Sequence, residues 1–128
     1  MKPFEQTTVT GKTFEEAVAA VQMKAAENGF RVLHTHDIAA TLSEKGFPRE
    51  PLKVIEICNA RYASKVLEKD VKISLMLPCP ISVFVQGGKT YISTLLPSSI
   101  GDFFPQAGIR DLAQEVENIV LKIVQEAG

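Results

Sequence analysis

Cys58 and Cys79 are the two soft, redox-capable side chains of this chain, and each stands where one structural element ends or another begins. Cys58 lies in Val-Ile-Glu-Ile-Cys-Asn-Ala-Arg-Tyr-Ala (54–63), where a strand pattern hands over to a helix. A thiol just before a helix start is favoured as thiolate by the free backbone N–H groups and the positive end of the helix. Arg61 adds positive charge nearby. Glu56, two residues back on the same strand face, opposes thiol ionisation, or serves as base or co-ligand. Cys79 lies in Leu-Met-Leu-Pro-Cys-Pro-Ile-Ser-Val-Phe-Val (75–85), between Pro78 and Pro80. Pro80 pushes Cys79 toward extended geometry and has no N–H of its own. That predicts an edge strand, or a strand beginning only at Ile81. A rigidly presented thiol suits ligand or metal capture. The competing reading for both cysteines is structural, because a buried cysteine behaves as a small hydrophobe.

Whether the two thiols act together depends on the segment 59–78. If it goes out along a helix and returns, Cys58 and Cys79 are neighbours at one sheet end; if it is a parallel crossover, they lie at opposite ends. A shared soft-metal or redox site needs histidine or carboxylate beside such a pair. His34 and His36, at i and i+2, face the same way on a strand and form a second metal-chelating candidate, with Asp37 on the other face. Solvent-facing or capping histidines are the alternative. The ligand-binding candidates are therefore Glu56, Cys58 and Cys79, the candidate nucleophile is Cys58, and the metal candidates are His34, His36, Cys58 and Cys79. No phosphate loop, dinucleotide fingerprint or serine-centred elbow is present, and Gly87-Gly88-Lys89 reads as a hairpin turn.

The elements that must hold these side chains follow from periodicity and punctuation. Residues 4–9 read as a first strand. Thr13-Phe-Glu-Glu16 is a capping box that opens a helix over about 14–28, with Phe14, Val18, Val21 and Ala25 at helical spacing and Asn28-Gly29 as its stop. Residues 30–39 look like a second strand, and 40–51 like a loop with at most one helical turn near Thr41–Lys45. A third strand covers 52–58, with Ile55 and Ile57 on one face and Val54, Glu56 and Cys58 on the other. Asn59 caps a short helix over 60–69, with Ala63, Val66 and Leu67 inward. Residues 71–78 lead extended into a fourth strand (79–86), and Gly87-Gly88 returns the chain as a fifth (89–96). Residues 97–108 read as a loop with an apolar tip, Ile100, Phe103 and Phe104. The last helix, 109–126, carries a broad stripe of Ile109, Leu112, Val116, Ile119, Val120 and Ile123. The order β-α-β-β-α-β-β-α predicts an α+β fold: a mostly antiparallel sheet of about five strands with two long helices on one face.

A chain of 128 residues fits a single domain spanning 1–128. A net charge of −1, with no face rich in Lys and Arg, argues against nucleic-acid or acidic-membrane binding. The opening Met-Lys-Pro-Phe-Glu has no apolar leader pattern, and the apolar stretch 73–85 is broken by prolines and too short to span a bilayer. A cytoplasmic protein with reduced thiols is the expectation.

The Gly29-Phe30 helix exit, the Leu42–Gly46 segment, Ile57-Cys58-Asn59, Ala63, Leu67 and Leu77-Pro78-Cys79 together resemble the "domain of unknown function 302" family of bacteria and archaea. The resemblance runs from the first helix to the fifth strand. It implies one α+β domain that forms dimers, and it implies no established activity or catalytic residue. Three functions stay open on the residues. The first is a dimeric binding module holding a small or soft-metal ligand near Cys58, Cys79 and Glu56; the second is a thiol enzyme or redox protein using Cys58. The third is an interaction module whose cysteines only pack. The dimer contact is expected on the apolar surface of the last helix or on the Ile100/Phe103/Phe104 loop. No cofactor is specified.

Overall fold

Thr13 opens the first helix as its spacing predicts: its hydroxyl accepts the Glu16 N–H at 3.2 Å, and the Glu16 carboxylate accepts the Thr13 N–H at 2.9 Å. Helix α1 then runs Phe14–Glu27 and buries Ala17, Val18, Val21 and Ala25 along one stripe. The computed structural model describes residues 3–128. Met1 and Lys2, where the segment inspected for a leader begins, lie outside the described residues. No helix of the described residues is long and apolar enough to cross a membrane.

Five strands, β1 (Glu5–Thr10), β2 (Arg31–Asp37), β3 (Leu52–Cys58), β4 (Cys79–Gln86) and β5 (Lys89–Leu95), form one antiparallel sheet in the order β1-β5-β4-β3-β2. Strand pleating sorts their side chains. Ile55 and Ile57 of β3, Ile81 and Val83 of β4 and Ile92 of β5 point to one face and are wholly buried. That face is covered by α1 and by α5 (Arg110–Ala127), which contributes Val116, Val120, Ile123 and Val124 to the same cluster. The β4–β5 hairpin turns on Gly87 and Gly88, with φ of +60° and +79°, the pair of left-handed positions that a two-residue turn of this hand requires. The α+β architecture, with two long helices on one face of the sheet, is as the sequence predicts.

Shorter elements depart from the sequence reading. Strand β2 ends at Asp37, two residues early, because the Asp37 side chain accepts the Ala40 N–H at 2.9 Å and caps α2 (Ile38–Glu44). Residues 71–78, expected to be extended, instead carry a 3-10 helix over Val71–Met76, capped by Asp70 through the Lys72 N–H at 2.9 Å and anchored by the buried Ile73. The expected loop after Pro97 contains α4 (Ser98–Phe103) and a 3-10 turn over Pro105–Ala107. With α3 (Ala60–Lys69), these pieces build a second cluster around Val66, Ile73, Ile100 and Ile109 at one end of the sheet.

Strand β4 is central and starts at Cys79, not at an edge or at Ile81. Pro80 is tolerated because pairing with β5 begins only at Ile81, and the Pro80 carbonyl on that side meets the Thr94 hydroxyl. The two surfaces expected to carry a dimer contact also separate. The last helix turns its stripe into the core and Ile100 is buried, which leaves Phe103, 70% exposed, as the open part.

Candidate functional site

The connection 59–78 leaves and returns at the same sheet end. Strands β3 and β4 are antiparallel with Ile57 opposite Cys79, so Cys58 stands one residue along from the pair. Cys79 points to the helix-covered face with Ile57 and is buried. Cys58, the last residue of β3, is half-buried where Asn59 turns the chain into α3. Both are free thiols.

Beside them the two hydrophobic clusters fail to close. The cavity left between them is walled on the sheet side by Phe30, Ile57 and Cys79, and across from it by Val66, Ile73 and Ile109. Cys58, Asn59, Tyr62 and Ala63 border it from the strand-to-helix turn, and Ala113 and Val116 from α5. Its enclosed space is about 40 Å³, and its mouth is open to solvent. Among the described residues no Asp, Glu, Lys, Arg or His lines it.

The electrostatics of this wall follow from desolvation. Burial, and secondarily the neighbouring Cys58, push the Cys79 thiol up to about 11. Burial also raises the Cys58 thiol. The helix start does not counteract this, because the Asn59 carboxamide oxygen accepts the Arg61 and Tyr62 N–H groups at 3.0 and 3.2 Å. The donors that would stabilise a thiolate are therefore occupied by the cap. The Asn59 amide donates to the Gly29 carbonyl at 3.0 Å, tying the end of β3 to the exit of α1. The Tyr62 hydroxyl donates to Glu115 Oε1 at 2.9 Å and bridges α3 to α5.

Glu56 belongs elsewhere. Alternation puts it on the open face of the sheet, where its Oε1 lies 2.8 Å from His36 Nε2. His34 is its cross-strand partner and packs edge-on against His36, with ring centroids 4.3 Å apart. The sequence candidates thus divide into two places: Cys58 and Cys79 at the cavity, and His34, His36 and Glu56 on the open face. Among the described residues no three His, Cys, Asp or Glu side chains come together to hold a metal ion.

Several wall residues escaped the sequence reading. Tyr62 sits one position from Ala63 and four before Val66, the spacing of a helix stripe, and that signal was present. Ala113 lies between Ile109 and Val116 on the same stripe, masked by its size. Phe30 and Ile73 had no local signal, since each joins the wall only through the folded arrangement of distant segments.

A family model described as "Domain of unknown function DUF302" matches residues 5–127. Among solved structures, the crystal structure of an uncharacterized conserved DUF302 protein from Bacillus stearothermophilus superimposes with a TM-score of 0.93. That alignment covers 99% of this chain and 100% of that one, at 22% identity, a likeness of fold. No curated protein matches.

Proposed function

This chain belongs to the DUF302 family, and from that premise, which supplies no activity, we propose that it is a binding module whose small-molecule site is the cavity between its two hydrophobic clusters. The observation that carries the reading is a concave, apolar gap beside the sheet end, with about 40 Å³ of enclosed space bordered by residues of both hydrophobic clusters. Core packing normally closes such gaps. Here the two free thiols stand on its border, one buried and one half-buried.

A small organic ligand is favoured over a soft metal because Glu56 and the histidines are committed to the other face, leaving the thiols without a third donor. A thiol enzyme is disfavoured because burial raises both thiols and the helix cap occupies the N–H groups that would activate Cys58.

The test is an amide-resolved NMR titration with four small probes: diethyl sulfide, 1-butanol, butyrate and butylammonium. At least one is expected to shift the amides of Ala63, Cys79 and Ala113, and Ala113→Leu, which fills the cavity, to abolish the shifts while leaving the rest of the spectrum dispersed. If none of the four moves those amides, or if Ala113→Leu leaves the shifts unchanged, the cavity is not the site.

A further inference from the structure

The walls of the cavity specify more than its existence. Polar side chains normally fix a ligand's orientation inside a pocket by offering unused donors and acceptors. Here the polar side chains of the wall are engaged within the protein. Asn59 is held by three hydrogen bonds to backbone groups of Arg61, Tyr62 and Gly29. The Tyr62 proton goes to Glu115. No buried side-chain nitrogen or oxygen among the described residues lacks a partner. The wall's other polar side chains are two thiols, weak donors and weak acceptors that pack as hydrophobes. Among the described residues no carboxylate, ammonium, guanidinium or imidazole side chain lines the space.

Resting on the reading of the cavity as the binding site, we propose that its ligand is an uncharged, hydrocarbon-like or thioether-like molecule, or the corresponding end of a larger one, bound without charge pairing. A carboxylate or ammonium group placed inside would exchange its water for a wall without a counter-charge, a loss that no contact there offsets. A hydroxyl would meet two weakly bonding thiols and side chains already engaged with the protein, and would leave much of its hydrogen-bonding capacity unmet. An apolar group loses nothing on transfer, and it fills a space that is too apolar to hold water well. The polarizable sulfurs of Cys58 and Cys79 favour contacts with equally soft atoms. The inner space of about 40 Å³ also limits the inserted part to a few heavy atoms.

The experiment uses the same four probes on the unmodified protein, now ranked by affinity at the amides of Ala63, Cys79 and Ala113. Diethyl sulfide is expected to bind tightest, 1-butanol several-fold more weakly, and butyrate and butylammonium at least about tenfold more weakly than diethyl sulfide. If butyrate or butylammonium binds at those amides as tightly as diethyl sulfide, the ligand class is overturned while the cavity remains the site. If 1-butanol outranks diethyl sulfide, the wall offers a hydrogen bond this assignment denies, and the class is again overturned. Silence from all four probes removes the site itself.

Discussion

Glu56 and Ile57 are consecutive residues, yet they belong to opposite regions of the molecule. Ile57 faces the helices, is fully buried and forms a wall of the apolar cavity. Glu56 faces solvent on the uncovered side of the sheet, against His36. The ionisable side chains of the cavity region are two thiols and Tyr62; the open face carries a carboxylate and imidazoles, Glu56, His34 and His36, and no enclosure. The pleat of one strand separates them. The carboxylate and imidazole candidates therefore gather on the side that cannot exclude water, while the side that can bind an apolar molecule adds to its two thiols mainly residues that read as packing. Binding here is a property of shape and desolvation, and substitutions on the two sides should behave accordingly.

The largest contrast is expected from Ile57→Ala. Removing a fully buried side chain from the floor of the cavity costs roughly 2–5 kcal/mol, read as a lower urea midpoint at unchanged slope. The same change enlarges the cavity, so the loss should be partly recovered by saturating diethyl sulfide. A loss below about 1 kcal/mol would mean that the wall collapses onto the gap and that the space is not maintained by the fold.

Cys79 gives the next effect, through pH. Burial holds its thiol at about 11 against an ordinary 9.0, so the folded state keeps a proton that the unfolded chain releases. The stabilisation is complete below the unfolded value and is lost as the pH climbs through the folded one. About two units correspond to roughly 2–3 kcal/mol across that window. Comparing denaturation at pH 8 and pH 10.5 for the unmodified chain and Cys79→Ala isolates the term from other alkaline titrations; equal slopes in the two proteins would remove it. In the folded protein at pH 8 iodoacetamide should modify Cys58 at least about tenfold faster than Cys79, since Cys58 is less buried and burial holds the Cys79 thiol up at about 11.

How far the sequence could disclose this arrangement depended on the range of each signal. Thr13 with Glu16, Asn59 before Ala60, and Gly87-Gly88 between apolar strands act over two to four residues, and each placed its element within a residue or two. Alternation through 54–58 sorted Ile55 and Ile57 from Glu56 for the same reason. The 3-10 turn at Val71–Met76 and helix α4 are too short to carry a periodic stripe, and they are held by burying Ile73 and Ile100 against other segments. The cavity was less legible still, because Phe30, Ile73, Ile109 and Ala113 meet only after folding. Proximity of Cys58 and Cys79 could be posed as a question of connectivity, and the antiparallel register answers it.

Tyr62 offers a smaller and more local effect. Helix α3 has one buried residue, Val66, and is tied across the cavity to α5 by the Tyr62–Glu115 hydrogen bond. Tyr62→Phe keeps the ring and removes that tie. Amide exchange in α3 should accelerate severalfold while exchange in β3 and β4 stays at the global rate, the pattern of a locally opening segment. Uniform acceleration across the protein would show that α3 opens only with the whole fold.

The smallest effect belongs to the open face, and it bears most directly on the separation of the two regions. The His36 and Glu56 side chains are 41% and 32% exposed, so their 2.8 Å contact is hydrated and screened. Glu56→Gln is expected to change stability by less than about 1 kcal/mol, with the difference shrinking as salt is added, because the glutamine keeps a hydrogen bond to the imidazole while losing the charge. More tellingly, Glu56→Gln and His36→Ala should leave the affinity for diethyl sulfide within about twofold of the unmodified chain, since a carboxylate on the far side of the sheet neither lines the cavity nor titrates its thiols. A tenfold change on either substitution would mean that the sheet transmits the state of its open face to the cavity. Glu56 would then return to the ligand site from which its side of the strand now removes it.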